Sequence, residues 1–151
     1  MALKVDPKRS VAERLQNYLR SANRRGQFLS SLWPRVSVIE VSPTKSVFEL
    51  TVTGDDCNGL GSLHGGCTAS IIDVCSTGAI IAAATKYFVH GGVSNDLTIS
   101  YVSAAKEGDV VLIECSIIKL GKSLANTHTV IRNKNTGQVV AMGSHTKFNS
   151  E

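Results

Sequence analysis

The segment from Asn58 to Ala84 joins a glycine-rich loop to an apolar helix that contains a single carboxylate. His64, Gly65 and Gly66 stand where this helix should begin, and Asp73 follows eight residues after Gly65. Free backbone N–H groups at a helix start stabilise negative charge, and glycine lets a ligand approach the backbone closely. The two glycine N–H groups are therefore candidates for binding an oxygen that becomes charged during a reaction. A tight turn that needs glycine for its own backbone is the alternative.

Asp73 is too far along the helix to act beside Gly65 in the same subunit. At about 1.5 Å per residue, the two positions are roughly 12 Å apart, so they cannot flank one reacting carbon. Two copies of the helix packed antiparallel about a two-fold axis would bring Asp73 of one copy to the helix start of the other. Small side chains that permit such contact are Ala69, Ser70, Ser76, Gly78 and Ala79. The pattern predicts a homodimer with two shared sites, unless Asp73 is a buried carboxylate satisfied by Ser76 or Thr77.

Other glycine, histidine and cysteine patterns do not support a nucleotide or metal site. His64 stands where a dinucleotide-binding loop would place its third glycine, and Gly121-Lys122-Ser123 lacks the first glycine of a P-loop. The histidines, at 64, 90, 128 and 145, show no HxxxH or HxH spacing, and no two cysteines form a CxxC pair. We therefore expect neither a metal nor a cofactor.

Composition and charge suit one intracellular domain. The chain has 151 residues, of which 42% are hydrophobic, and a net charge of +4. Residues 1–30 hold seven bases and two acids, whereas the remainder holds nine bases and ten acids, so no nucleic-acid partner is expected. Neither a secretory signal nor an N-glycosylation sequon is present, which favours the cytoplasm or, given the basic leader, the mitochondrion. The 18-residue apolar run from Cys67 to Ala84 carries Asp73 and several hydroxyls, so we expect no membrane insertion.

The elements that would position these residues follow from hydrophobic periodicity. Residues 10–25 form an amphipathic helix with a Ser10–Glu13 capping box and a stop at Gly26, although a mitochondrial presequence is the alternative. Period-two runs predict two strands between residues 35 and 52, and four more near 95–103, 109–119, 123–133 and 138–148. The order predicts an α+β fold with a roughly six-stranded antiparallel sheet wrapped around one long helix. Residues 1–30 would be a basic helical segment packed on a domain of residues 31–151.

Taken together, these motifs resemble the hotdog-fold acyl-CoA thioesterases. The resemblance is to the thioesterase-superfamily-member-2 type, within the wider phenylacetate-degradation (PaaI) group. It rests on Asn58, His64-Gly65-Gly66, Asp73, Gly92-Val93-Ser94, Ile99-Ser100-Tyr101 and the segments 119–125 and 143–147. Two positions depart from the family pattern: Ala104 replaces a common proline, and Asn95 follows Ser94 where an apolar residue is usual.

The resemblance implies dimers, usually paired into homotetramers, that hydrolyse acyl-CoA to a free acid and coenzyme A in fatty acid metabolism. By position, the Gly65 N–H would polarise the thioester carbonyl, and Asp73 of the partner subunit would activate or orient water. Ser94 would hold that water or the carboxylate, while Asn58 and His64 would order the loop and the nucleophile. Asp73 could act as a general base on water or as a nucleophile, and the sequence leaves both routes open.

Coenzyme A, as part of the substrate, calls for cationic and apolar contacts. Surface bases that could bind its phosphates are Lys119, Lys122, His145 and Lys147, with Arg132 and Lys134 behind them, and the Gly66 N–H could add a contact. Tyr87 and Phe88 could line an apolar slot for a medium- or long-chain fatty acyl or an aryl-acyl group, although they also suit plain core. A hydratase of the same fold, or a non-catalytic acyl-CoA-binding or scaffold protein, is the alternative function.

Overall fold

The computed structural model describes residues 9–22, 28–84 and 86–150. Its helices and strands follow the chain in the order α1 (Val11–Ala22), β1 (Ser37–Val41), β2 (Lys45–Thr51), α2 (Gly65–Ala83), β3 (Val93–Tyr101), β4 (Val110–Leu120), β5 (Leu124–Asn133) and β6 (Val139–Phe148). Two short 3-10 helices, Trp33–Arg35 and Gly54–Asp56, were not expected from the sequence. The predicted Gly26 stop and the leader bases Lys4, Lys8, Arg24 and Arg25 lie outside the described residues.

The six strands form one sheet in the order β1-β2-β4-β5-β6-β3, and every pairing is antiparallel. The predicted α+β architecture is therefore confirmed. β1 and β3 are the edge strands, and α2 packs across β4, β5 and β6 on one face of the sheet. Along β5, buried residues that face α2 alternate with less buried ones on the other face, as the period-two pattern requires.

The long helix α2 lies in the core because it is apolar on nearly all sides. Ile71, Ile72, Cys75 and Ile80 have exposures of 0%. The first three pack with strand residues such as Phe48, and Ile80 packs with Ala125 of β5. By length and hydropathy this helix could cross a membrane, but 67% of it is buried inside the fold, as in the core helix of a globular domain.

Helix α1 packs against α2 at a position where α2 has no side chain. A Cβ added at Gly78 would lie 3.0 Å from Leu15 Cδ1, and Leu15 is fully buried. The predicted capping box is confirmed, since Ser10 N–H donates to Glu13 Oε2 at 2.7 Å and Glu13 N–H to Ser10 Oγ at 3.2 Å. Tyr18 meets Trp33 edge-to-face with ring centroids 5.6 Å apart, which joins α1 to the segment before β1.

A β-bulge in the edge strand β3 changes which residues face α2. The register against β6 shifts between Ser94 and Asp96, so Asn95 is the extra residue. Without the bulge, Ser94 would share a face with Asp96, because side chains alternate along a strand. With it, Ser94 points towards α2, as Leu97 and Ile99 do. The polar Asn95 noted in the sequence is therefore the residue that turns Ser94 inward.

Candidate active site

His64 caps the start of α2 and leaves one glycine N–H free. Its Nδ1 accepts a hydrogen bond of 2.8 Å from the Gly66 N–H, and its own N–H donates to the carbonyl oxygen of Asp56 at 2.8 Å. The Gly66 N–H is thus already committed to the cap. Among the described residues no acceptor bonds the Gly65 N–H, so Gly65 is the donor that the helix start presents to a ligand.

Asn58 holds the loop before α2 in shape. Its Oδ1 accepts hydrogen bonds from the Leu60 N–H at 2.9 Å and from the Ser62 N–H and Oγ, both at 3.3 Å. Its backbone N–H also donates to the Ser62 carbonyl at 2.8 Å. These contacts form a closed turn, which fixes the backbone conformation of the loop beside the helix start.

A cavity of about 370 Å³ opens beside this helix start. Gly65, Asn58 and Tyr101 line it, and the Tyr101 hydroxyl donates to the Gly65 carbonyl oxygen at 3.1 Å. The remaining lining residues are Ser62, Leu63, Thr68, Val102, Ser103, Ala104 and Val140. Gly65, whose N–H lies at the positive end of the α2 dipole, is thus part of the cavity wall.

Asp73 lies about two turns further along α2, with its side chain 43% exposed. Its Oδ1 is 3.5 Å from Thr77 Oγ1 and 3.7 Å from His145 Nε2. The alternative of a buried Asp73 is therefore wrong in its burial, although the Thr77 hydroxyl of the same helix does contact the carboxylate. The carboxylate instead stands at the open edge of the fold beside β3.

His145 lies directly behind Asp73, held between two serines. Its Nδ1 is 2.7 Å from Ser76 Oγ on α2, and its Nε2 is 2.9 Å from Ser94 Oγ on β3. A neutral imidazole has one donor and one acceptor nitrogen, so one serine accepts a hydrogen bond from the ring and the other donates one to it. Both ring nitrogens are thus engaged, and the ring has a single orientation.

Lys147 completes the cluster from the same strand, β6. Its Nζ donates to Thr77 Oγ1 at 2.9 Å and to Ser94 Oγ at 3.5 Å. The interpretation of His145 and Lys147 as surface bases is wrong, because their exposures are 1% and 4%. They face α2 on alternate positions of β6, and Thr146 between them is half-buried on the opposite face.

Burial sets the protonation of the two bases. It lowers the pKa of His145 below its usual 6.5, and the nearby Lys147 lowers it further, while Asp73 and Asp96 act in the opposite direction. Burial likewise lowers the pKa of Lys147 from 10.5, against the attraction of Asp73. The imidazole is therefore neutral near pH 7.

The other predicted contacts lie apart from this cluster. Lys119 and Lys122 are exposed at the end of β4 and in the turn after it. Phe88 is fully buried against Ile80 and Ala125, so it belongs to the core, while Tyr87 is half-buried beside it. Both aromatic residues follow the C-terminal end of α2, opposite the Gly65 cavity.

One protomer thus carries two polar clusters on a single helix, one at its start and one two turns later. The sequence analysis identified Ser94 and the helix residues of both clusters. It did not identify Lys147 and His145 as neighbours of Asp73. The alternation on β6 was the available signal, since Ala141 and Gly143, which must face the sheet interior, share their parity with His145 and Lys147.

Comparison with known proteins identifies the family. Residues 60–140 match the thioesterase superfamily. Acyl-coenzyme A thioesterase 13 of Mus musculus is 39% identical to this chain over 113 residues, which cover 75% of this chain and 79% of that protein. The chain belongs to the thioesterase superfamily. The predicted enzyme class, a thioester hydrolase, is confirmed by this membership.

Solved structures of thioesterases share the fold. Zebrafish thioesterase superfamily member 2 superposes with a TM-score of 0.82 at 33% identity, covering 93% of this chain and 99% of that one. A hypothetical thioesterase of Streptococcus pneumoniae, crystallised with coenzyme A, has a TM-score of 0.73 at 21% identity and covers 91% and 95%. The second likeness shows the fold alone. The predicted hotdog fold is confirmed.

Proposed function

We propose that this protein hydrolyses acyl-CoA thioesters to a free acid and coenzyme A, in sites shared between the subunits of a homodimer. The observation that carries the proposal is the division of polar groups on α2, with the free Gly65 N–H at its start and the open Asp73 two turns later. The mouse relative is named for activity on acyl-coenzyme A, and the streptococcal protein of this fold was crystallised with coenzyme A. Both names support coenzyme A as part of the substrate.

The exposed edge of the sheet supports the dimer. β3 has nine residues, and only Leu97 and Ile99 among them are partly buried. A long open edge strand favours pairing with a second strand. Antiparallel pairing of two β3 strands about a two-fold axis would place the α2 helices side by side, with Asp73 of each beside the helix start of the other.

In the proposed reaction, the thioester carbonyl oxygen accepts a hydrogen bond from the Gly65 N–H. Asp73 of the partner subunit takes a proton from water as the water oxygen bonds to the carbonyl carbon. The oxyanion then collapses, the carbon–sulfur bond breaks, and the coenzyme A thiolate leaves and takes up a proton. A nucleophilic attack by the Asp73 carboxylate, with hydrolysis of the resulting anhydride, is the second route that this geometry supports.

Substrate contacts outside the reacting centre are part of the same proposal. The exposed Lys119 and Lys122 are suited to the coenzyme A phosphates, because exposed ammonium groups bind phosphate as point charges. The acyl group would be a medium- or long-chain fatty acyl or an aryl-acyl group. Pairing of dimers into a homotetramer, and a place in the cytoplasm or mitochondrion, belong to the proposal as well.

Thiol release from a panel of acyl-CoAs tests the function. The panel runs from acetyl- to palmitoyl-CoA and includes phenylacetyl-CoA, with Asp73→Asn beside the wild type. We expect hydrolysis that depends on the acyl group and falls by roughly 10²- to 10⁴-fold in Asp73→Asn. Glu40→Gln, an exposed carboxylate on the opposite edge strand, should hydrolyse like the wild type. A folded oligomer that binds acyl-CoA without hydrolysing it would indicate the binding or scaffold alternative.

The oxyanion donor can be removed without disturbing the helix. Gly65 is the first residue of α2, where proline is tolerated, and His64 has the extended backbone that proline requires before it. Gly65→Pro therefore deletes the N–H, whereas Gly65→Ala keeps it and places a Cβ 3.4 Å from the Tyr101 ring, an ordinary contact. We expect Gly65→Pro to lower kcat by about 10²- to 10³-fold and Gly65→Ala to lower it far less.

Mixing two inactive variants tests whether the sites are shared. In a heterodimer of Gly65→Pro and Asp73→Asn, one site carries both defects and the other carries neither. Random reassortment makes half of the dimers mixed, each with one intact site of two, so about a quarter of wild-type activity should return. No recovery after verified subunit exchange would place Gly65 and Asp73 in the same protomer's site and would contradict the shared arrangement.

A further inference from the structure

The peptide unit that joins His64 to Gly65 is held at its carbonyl end by one residue, Thr68. The His64 carbonyl oxygen accepts a hydrogen bond of 2.9 Å from the Thr68 N–H and a second, of 3.2 Å, from Thr68 Oγ1. The first is the helical bond to the residue four positions earlier, whereas the second is added by the side chain. At the other end of the same peptide unit is the Gly65 N–H, which no acceptor bonds in the part of the chain that the structure describes.

The two ends of a peptide unit are coupled electronically. The C–N bond has partial double-bond character, so a donor at the carbonyl oxygen draws electron density from the nitrogen and makes the N–H more positive. Hydrogen bonds linked in this way strengthen one another by about 10–30% per bond. Thr68 is 2% exposed, so little water competes with its hydroxyl for the carbonyl oxygen. The Thr68 hydroxyl therefore strengthens the Gly65 N–H as a donor.

Two other contacts fix the neighbouring peptide units. The His64 N–H donates to the Asp56 carbonyl oxygen, and the His64 ring accepts from the Gly66 N–H, both at 2.8 Å. These bonds orient the backbone before and after the donor. The Thr68 hydroxyl differs from them because it acts on the peptide unit that carries the Gly65 N–H itself.

Packing does not require a hydroxyl at Thr68. A hydroxyl that bonds back to the preceding turn slightly destabilises a helix, and a valine would fill the same space without one. Ser70 on α2 makes a similar bond, of 2.9 Å to the Gly66 carbonyl oxygen, but that peptide unit ends at the Cys67 N–H. Ser70 is therefore a matched comparison, with the same type of bond on a different peptide unit.

We propose that Thr68 is a positioning residue, whose buried hydroxyl holds and polarises the His64–Gly65 peptide unit and so strengthens the Gly65 N–H towards the charge that forms on the thioester oxygen. The inference rests on the proposed function, in which Gly65 is the oxyanion donor. Thr68 does not touch the reacting atoms. It acts through the carbonyl oxygen of His64, so its effect is greatest when negative charge develops.

Steady-state kinetics of Thr68→Val and Thr68→Ser test this role. A donor worth about 10²- to 10³-fold in kcat, weakened by about 10–30%, corresponds to a fall of roughly two- to eightfold. We expect that fall in Thr68→Val, with KM unchanged, because the interaction is made in the transition state. Thr68→Ser keeps the hydroxyl and should restore the wild-type kcat. Thr68→Ala removes the same hydroxyl, in case the valine packs poorly, and Ser70→Ala should behave like the wild type.

The other roles open to Thr68 give different kinetics. Thr68 also lines the cavity beside Gly65. A raised KM with an unchanged kcat in Thr68→Val would mean that its side chain binds substrate, and would overturn the proposal. Equal losses in Thr68→Val and Thr68→Ser, with lower melting temperatures, would mean a packing role only and would also overturn it.

Hydrogen exchange of the Gly65 amide tests the same inference without any substrate. Base-catalysed exchange removes the amide proton and leaves negative charge on the carbonyl oxygen of the same peptide unit, which the Thr68 hydroxyl stabilises. Magnetisation transfer from water, measured by NMR on ¹⁵N-labelled protein, gives the exchange rate, and the Gly65 signal is assigned by its absence in Gly65→Pro. Exchange should be slower in Thr68→Val than in the wild type, whereas a helix start that had merely loosened would exchange faster.

This second readout separates the inference from the proposed function. Slower exchange in Thr68→Val, in a protein that hydrolyses no thioester, would reject the function and keep the polarising role of Thr68. Unchanged or faster exchange would reject the inference alone, whatever the hydrolysis assay shows.

Discussion

Arg14 in α1 donates a hydrogen bond of 2.6 Å from its Nη2 to the carbonyl oxygen of Ala82 in the last turn of α2. Carbonyl groups in the last turn of a helix lack intrahelical partners and carry partial negative charge. The guanidinium is buried, with 7% exposure, so it meets that charge away from water. The leading helix therefore closes the C-terminal end of the helix that carries the candidate site.

Replacing this arginine should destabilise the fold. In Arg14→Met we expect the free energy of unfolding to fall by about 2 kcal/mol, because a buried hydrogen bond from a charged donor is lost. Arg20→Met, on an exposed position of the same helix, should change it by less than about 0.5 kcal/mol. Urea denaturation measures both values. Equal effects of the two variants would mean that the Arg14–Ala82 bond contributes nothing to stability.

An ion pair anchors the loop that leads to the helix start. Arg35 binds Asp56 through two hydrogen bonds, of 2.9 and 2.6 Å, and the Asp56 backbone accepts the His64 N–H. Burial pushes the pKa of Asp56 upward, but hydrogen bonds from Arg35 and Thr53 outweigh it and hold that pKa below the usual 3.8. The pair thus connects the 3-10 helix before β1 to the residue that caps α2.

Asp56→Asn should lower the free energy of unfolding by roughly 2 to 3 kcal/mol at pH 7, since it leaves a partly buried guanidinium without its charge partner. A carboxyl whose folded pKa is lowered contributes stability above its unfolded pKa and loses it as pH falls through the folded value. Wild-type stability should therefore drop below about pH 4, and the variant should drop less. Glu114→Gln, from a more exposed pair, is the control. Parallel pH curves for wild type and Asp56→Asn would contradict this account.

The fold could be predicted from the sequence. Strand β6 shows why the candidate site could be predicted only in part. Alternating side chains predicted the six strands, although β1 and β3 each carry a register irregularity and β2 is buried at three successive positions. On β6, however, the polar His145 and Lys147 face the interior while the apolar Met142 and Phe148 are partly exposed. Polar side chains at a functional site invert the usual pattern, so a rule that sends lysine outward fails at this position.

The direction of the Ser94 side chain, which depends on the bulge at Asn95, could not be predicted from the sequence either. Sequence patterns assign faces by counting from one residue to the next, and an inserted residue reverses the count beyond it. Ser94 was identified as a site residue by resemblance, but its inward direction depends on pairing between β3 and β6. Such pairing is a tertiary property that a local pattern does not contain.

Two glycines with similar backbones should differ sharply when replaced by alanine. Gly92 and Gly61 have φ values of +64° and +73°, which an alanine adopts at a cost of about 1 to 2 kcal/mol. At Gly92 the added Cβ would also lie 2.5 Å from the Phe148 carbonyl oxygen, whereas at Gly61 it meets open space. We therefore expect Gly92→Ala to lower the free energy of unfolding by roughly 3 kcal/mol or more. Gly61→Ala should lower it only by the cost of placing an alanine at positive φ. Thermal or urea unfolding measures both variants. Equal losses of stability would contradict this account, because they would mean that the end of β6 shifts to make room for the added Cβ.

The buried imidazole should make the fold sensitive to mild acid. Burial, and then Lys147, lower the pKa of His145 from its usual 6.5. Between the unfolded and folded pKa values, the unfolded chain binds the proton more readily, so acidification favours unfolding. The stability that the neutral imidazole contributes is complete above pH 6.5. It is lost as the pH falls through the pKa of His145 in the folded protein.

His145→Gln removes this term, so the stability advantage of the wild type over His145→Gln should shrink as the pH is lowered from 7 to 5. Urea unfolding at four or five pH values in that range measures it. Ser94→Ala is the matched control, because it removes a hydrogen bond of 2.9 Å to the same ring but keeps the titrating group. That variant should keep the pH slope and lose stability at every pH. A constant difference between wild type and His145→Gln would mean that His145 is protonated equally easily in both states, which its 1% exposure beside a buried ammonium argues against.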